Sequence, residues 1–167
     1  MSMNYWHQGR MLFALARYFD WSSQRMMSQF AIDGGIADLV FVSRTGYATE
    51  VEIKISLADW NADLHKAKWD QDRQHIARFF YAIPETLEER IPDWLPAYAG
   101  LLVVRRSGTS GRNFDQVSEL RAAHRRPAKK LSERDQNIMF RSAYYRFWRQ
   151  EMRFWQKRLF HRECGVV

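Results

Sequence analysis

The sequence predicts an α/β fold, in the mixed-sheet (α+β) sense, from three patterns. A helical periodicity opens the chain. Short apolar runs rich in β-branched and aromatic residues recur between residues 29 and 105, and a polar helical stretch interrupts them after the second full strand.

Each element has its own signal. Tyr5 to Phe19 places Leu12, Leu15, Ala16 and Phe19 at three- and four-residue intervals, with Gln8, Arg10 and Arg17 off that face, which predicts an amphipathic helix. Gln29 to Asp33 is a short strand, and Asp33-Gly34-Gly35 turns it into the dense apolar run Ile36 to Val42. Ser43 to Gly46 is a hairpin connection. In the strand that follows, Tyr47 to Ser56, Val51, Ile53 and Ile55 alternate with Glu50, Glu52 and Lys54. Leu57 to Ala77 is polar with sparse apolar contacts, and Asp59 near its start suits a helix dipole. Arg78 to Ile83, stopped by Pro84, is a third strand; Glu85 to Arg90 is a helical turn; Gly100 to Arg105 is a fourth strand. The loop Ser107 to Asn113 divides the expected organisation into a core, residues 1–113, and a C-terminal extension, residues 114–167. The extension holds an edge strand, Val117 to His124, and a long helical segment, Leu131 to Phe160, packed on the core.

Composition narrows the function classes. With 167 residues and 46% apolar content the chain can bury one sizeable core, and 15% aromatic residues argue against disorder. A single cysteine, Cys164, excludes a disulfide framework and a Cys-rich zinc site and fits a reducing, cytoplasmic setting. No apolar window is long enough to span a bilayer, so no membrane partner is expected. The net charge of +7 attracts anions, of which nucleic acid is the commonest large one. Most of this charge sits near the end: from Arg121 to Arg162 there are thirteen Lys/Arg against three acids. Phe140, Tyr144, Tyr145, Phe147, Trp148, Phe154, Trp155 and Phe160 interleave with them, so one face can pack while the other presents guanidinium groups.

The alternating strand carries the chemistry. Glu50, Glu52 and Lys54 are two apart and share a face, and the hairpin at Ser43 to Gly46 folds Asp38 back toward Glu52. Two carboxylates beside an ammonium suit a hard cation such as Mg²⁺, which takes one or two protein carboxylates and several waters. A phosphodiester needs the polarisation and charge neutralisation such a group supplies. The plainer alternative for Glu50, Glu52 and Lys54 is a solvated strand face with weak ion pairs. Asp38, inside an apolar run, resists that reading because an unpaired buried carboxylate is costly.

Asp38 followed by Glu52-Ile53-Lys54, between apolar strands and ahead of a polar helix, resembles the PD-(D/E)xK nuclease superfamily. The segments GGIADLVFV, EVEIKIS, DWNADLHKAKW and RFFYAIP resemble the MmcB-like DNA-repair endonucleases over about Tyr5 to Val104. The resemblance implies a restriction-endonuclease-like core and a Mg- (or Mn-) dependent nuclease acting on DNA. It further implies Asp38 and Glu52 as metal ligands, the Ile53 carbonyl as a third, and Lys54 as catalytic lysine. Ala37 stands where the motif often has proline, and the first helix offers Gln8 and His7 where many members supply an acid. Gln8 and Glu50 are therefore accessory candidates. Lys66 and Lys68 on the second helix, and Arg125, Arg126, Lys129 and Lys130 beyond the loop, are candidates for the phosphate backbone, whose contacts are salt-sensitive and blind to sequence. A single centre that must cut two strands suggests a homodimer.

Overall fold

The computed structural model describes residues 6–20, 25–64, 73–91, 95–107 and 114–163. The expected α/β architecture is present. Its elements run α1 (Gln8–Tyr18), β1 (Arg25–Ile32), β2 (Gly35–Val42), β3 (Ala48–Ile53), α2 (Leu57–Leu64), β4 (Ile76–Pro84), a 3₁₀ turn (Glu85–Leu87), β5 (Ala99–Arg105), β6 (Gln116–Arg121) and α3 (Glu133–Glu163). The strands form one six-stranded sheet in chain order. β1–β2, β2–β3 and β5–β6 are antiparallel, and β3–β4 and β4–β5 are parallel. The chain divides into two compact units, Met1–Leu131 and Ser132–Val167. The first extends past the glycine-rich loop because β6 hydrogen-bonds to β5.

Local chemistry explains the connections. β1 and β2 are joined by Asp33-Gly34, both at positive φ, which is the backbone a two-residue hairpin demands. Asp33 is fixed there because its carboxylate also accepts from the His75 backbone N–H at 2.8 Å and meets His75 Nδ1 at 2.6 Å. Ser56 caps α2: its hydroxyl accepts from Asp59 N–H, while Asp59 accepts from Ile55 N–H, a reciprocal cap. His7 caps α1 in the same manner, its ring nitrogen accepting from Arg10 N–H.

Two boundaries differ most from the sequence reading. The first strand begins at Arg25 rather than Gln29, because it is a sheet edge whose half-exposed side chains break the apolar pattern. The second helix does not reach Ala77: Ile76 and Ala77 are buried at the start of β4, with Ile76 opposite Ala48. A polar stretch with sparse apolar residues does not mark where helix yields to strand.

α1 buries Met11, Ala14 and Leu15 against Leu39, Phe41, Val51, Ile53, Phe80, Ala82, Leu102 and Val104, forming the core on one sheet face. Burying each large apolar side chain contributes about 1.5–3 kcal/mol. Arg10 bonds Asp115 at 2.6 Å, and Arg17 stacks on Phe114 at 3.7 Å, so α1 is clamped toward the approach to β6. Gly100 lies under Phe80: a Cβ there would meet Phe80 Cδ1 at 2.4 Å and the Ala123 amide at 2.7 Å. Gly100→Ala is therefore expected to cost about 1–3 kcal/mol by overpacking, read as a lower denaturation midpoint at unchanged m-value. An unchanged midpoint would show that Phe80 is free to move aside.

In the second unit, Ser132 caps α3 by accepting from Asp135 N–H at 3.1 Å. Tyr144, Tyr145, Phe147 and Trp148 on this helix are exposed and touch one another edge to face. No helix among the described residues is long and apolar enough to cross a membrane.

Candidate active site

The opposite face of β3 carries Glu50, Glu52 and, just beyond the strand, Lys54, and all three are buried, at 0%, 5% and 2% exposure. A solvated strand face is thereby overturned. Trp60 of α2 is buried as well, with its ring 4.9 Å from that of Tyr81. Tyr81 is itself opposite Glu52 in the β3–β4 register and belongs to the core, 1% exposed.

Asp38 reaches the same place from β2. The β2–β3 ladder ends at the pair Leu39–Val51. Continued by one residue, it sets Asp38 opposite Glu52 on one face. Beyond that pair the two strands no longer bond main chain to main chain: the Ile53 amide donates instead to Asp38 Oδ2 at 2.9 Å. Asp38 Oδ1 accepts from Gln29 Nε2 at 2.8 Å and from Gln8 Nε2 at 3.1 Å. Lys54 Nζ lies 3.1 Å from Glu52 Oε1 and 3.8 Å from Asp59 Oδ1. Gln8, Asp38, Glu52, Ile53, Lys54, Ile55 and Asp59 line one polar cleft at the carboxyl end of β3.

Burial raises the Asp38 pKa above the ordinary carboxylate value, and the neighbouring Glu52 charge raises it further. The Ile53 amide, Gln29 and Lys54 offset part of this rise. The site thus gathers negative charge that its own cations only partly neutralise. Such a donor set fits a hard cation held by two carboxylates and a main-chain carbonyl, with water completing the shell. Among the described residues no third His, Cys, Asp or Glu joins them at ligand distance.

Gln29 is the site residue that pattern reading missed. It sits across from Asp38 in β1 at φ 50°, a left-handed conformation inside a strand. For a residue other than glycine this costs on the order of 1–3 kcal/mol and persists where the surroundings enforce it. The alternation rule could not have found it, because the signal is a backbone angle. Gln29→Gly is expected to leave thermal stability unchanged or higher while moving the pH dependence of Mg²⁺-induced stabilisation upward, since one bond favouring ionised Asp38 is gone. An unmoved pH profile would remove Gln29 from the site.

The remaining candidates separate. Glu50 does not line the cleft; it is ion-paired to the buried guanidinium of Arg73. His7 serves as a helix cap. Lys66 and Lys68 lie outside the described residues. Arg125, Arg126, Lys129 and Lys130 lie on an extended segment bonded to Tyr98, Ala77, Gln74 and Gly46 carbonyls, toward the amino ends of β3 and β4 and away from the cleft. Asp59, which sequence reading took as a favourable helix-start acid, is here a second partner of Lys54.

No curated protein matches this sequence significantly. A solved structure of a protein of unknown function from Silicibacter pomeroyi is similar, with a TM-score of 0.59 and 21% identity over 90% of this chain and 94% of that one. At that identity the likeness concerns the fold. The family model of the MmcB-like DNA repair proteins matches residues 8–139, a span holding the whole sheet and every residue that lines the cleft. The chain belongs to the MmcB-like DNA repair protein family.

Proposed function

We propose that this protein is a metal-dependent nuclease of the PD-(D/E)xK kind that hydrolyses DNA phosphodiester bonds in repair. The observation that carries the reading is the convergence of Asp38, Glu52 and Lys54 in one cleft, with Asp38 made a stronger proton binder by burial and then by Glu52. Crowded carboxylates with a raised pKa, set in a cleft, are a recognised mark of a functional site.

In this reading Asp38 and Glu52 hold Mg²⁺ or Mn²⁺. The Ile53 carbonyl is a third ligand, since a strand residue directs its carbonyl to the same side as its amide, here the side of Asp38. A bound divalent ion supplies Lewis-acid polarisation of the phosphoryl oxygen and a lowered pKa for bound water. Lys54, pinned between Glu52 and Asp59, holds a positive charge at the cleft wall, where it offsets charge developing on the phosphoryl oxygens and orients the attacking water. Gln8 and Gln29 fix the Asp38 carboxylate and so set which oxygen faces the cleft.

Cleavage of labelled single-stranded, duplex and branched DNA with Mg²⁺ or Mn²⁺ tests this. Lys54→Ala and Glu52→Gln are each expected to lower the rate by about 10²–10³-fold or more, the scale seen when one electrostatic stabiliser is removed. A second reading, a module that binds DNA without cutting it, draws on the absence of a third acid at ligand distance among the described residues. Salt-dependent DNA binding with neither cleavage nor metal uptake by the wild type would establish that reading instead.

A further inference from the structure

At the other end of β3 lies a second cleft, lined by Ser43, Thr45, Tyr47, Thr49, Arg78 and Arg125. At about 3.3 Å per strand residue it is about 16 Å along β3 from Glu52. Arg78 and Arg125 are exposed. The Arg125 guanidinium sits 4.8 Å from the centre of the Tyr47 ring, and Lys130 Nζ is 5.6 Å from that ring. The Ser43 and Thr45 hydroxyls share a hydrogen bond of 2.9 Å at the rim. Among the described residues no acid lines the cleft, and no described carboxylate pairs with Arg78, Arg125 or Lys130.

The basic segment that closes this cleft is not a loose tail. Its backbone N–H groups at His124, Arg126, Lys129 and Leu131 donate to the carbonyls of Tyr98, Ala77, Gln74 and Gly46. Four main-chain anchors over eight residues set the spacing of the cations in advance, so little ordering entropy remains to oppose binding. Cations without counter-charges, hydroxyl donors and an aromatic face form the combination that holds a nucleic-acid strand by its backbone.

We infer that this cleft is a second nucleic-acid site, which takes the phosphodiester backbone of a strand through Arg78, Arg125 and Lys130, with Ser43 and Thr45 as hydroxyl donors. It is separate from the Asp38–Glu52 cleft and does not depend on cleavage or metal.

The test is fluorescence anisotropy of a labelled oligothymidylate in chelator, across a salt series. The Arg78→Gln/Arg125→Gln double variant is expected to bind about tenfold more weakly or worse. Its slope of log affinity against log salt should be shallower by about 1.4, two contacts at about 0.7 each for single strands. Arg78→Lys/Arg125→Lys keeps the charges and should keep most of the slope. Both side chains are exposed, so the melting temperature serves as the folding control. Wild-type affinity and slope in the double glutamine variant would overturn the proposal, as would no wild-type binding. Inorganic phosphate titrated by calorimetry forms the other arm: heat lost in the double variant while oligonucleotide affinity stays at the wild-type level would reassign the cleft to free phosphate and overturn it too.

Discussion

Asp38→Asn is expected to abolish the thermal stabilisation by Mg²⁺ while leaving the metal-free protein at least as stable as wild type. Asp38 binds its proton more tightly when folded than when unfolded, so folding disfavours its ionised form. That penalty is absent at low pH. It grows as pH rises above the unfolded value of about 3.9 and is complete once pH exceeds the raised folded value. Wild-type stability in chelator should therefore fall relative to Asp38→Asn across that window and then run parallel to it. The asparagine is well accommodated: its oxygen keeps the Ile53 amide bond, and Gln8 and Gln29 need only turn their amides over to accept from the new NH₂. A divalent ion competes with the proton for Asp38, so its stabilisation of wild type, about 2.7 kcal/mol at a concentration 100-fold above Kd, should strengthen over the same pH range. Scanning calorimetry with and without Mg²⁺ from about pH 4 to about pH 8 reads all of this. A metal response that survives in Asp38→Asn, or a constant destabilisation at every pH, would remove Asp38 from the proposed metal site.

How much of this arrangement was legible in the sequence depended on period. Glu50, Glu52 and Lys54 alternate with Val51 and Ile53, and a period of two can only place them on one face, which is where they lie. Asp38 was placed correctly because the Ser43 to Gly46 turn fixes the register of the hairpin that follows. Burial of the acidic face was not legible, since a row of charges reads as solvated, and the partners of that face come from elements whose positions a local pattern does not specify, as Tyr81 of β4 opposite Glu52 does. The same limit hid Gln29, whose role rests on a positive φ, and Arg73, which lies in a stretch read as a uniform polar helix. The basic residues from Arg125 to Lys130 were visible as charge. Only the four backbone anchors show that they are held at the amino end of the parallel strands rather than at the cleft.

Arg73→Met is expected to destabilise the fold by about 3–5 kcal/mol, because it removes the guanidinium paired with Glu50, a charge in a site with no exposure. That is a large part of the 5–15 kcal/mol typical of a whole domain. The guanidinium reaches Glu50 beside Gly35, where a Cβ would come within 3.1 Å of Arg73 Nη2, so a small residue in β2 makes room for it. In the proposed metal site, the pair accounts for Asp38 and Glu52 serving as the acids and Glu50 not serving. Glu50 is neutralised by its own arginine, whereas Glu52, two residues on, shares Lys54 with Asp59 and faces Asp38 across the cleft. Removing both charges together, as Glu50→Gln with Arg73→Met, should recover most of the loss, because an apolar or neutral replacement of a buried pair is often neutral or stabilising. Urea unfolding of the two single variants and the double gives the coupling directly. Additive losses would mean that Arg73 stabilises the fold through its packed side chain and that Glu50 is compensated elsewhere; a strongly non-additive cycle would show that the ion pair itself holds the segment before β4 against β3.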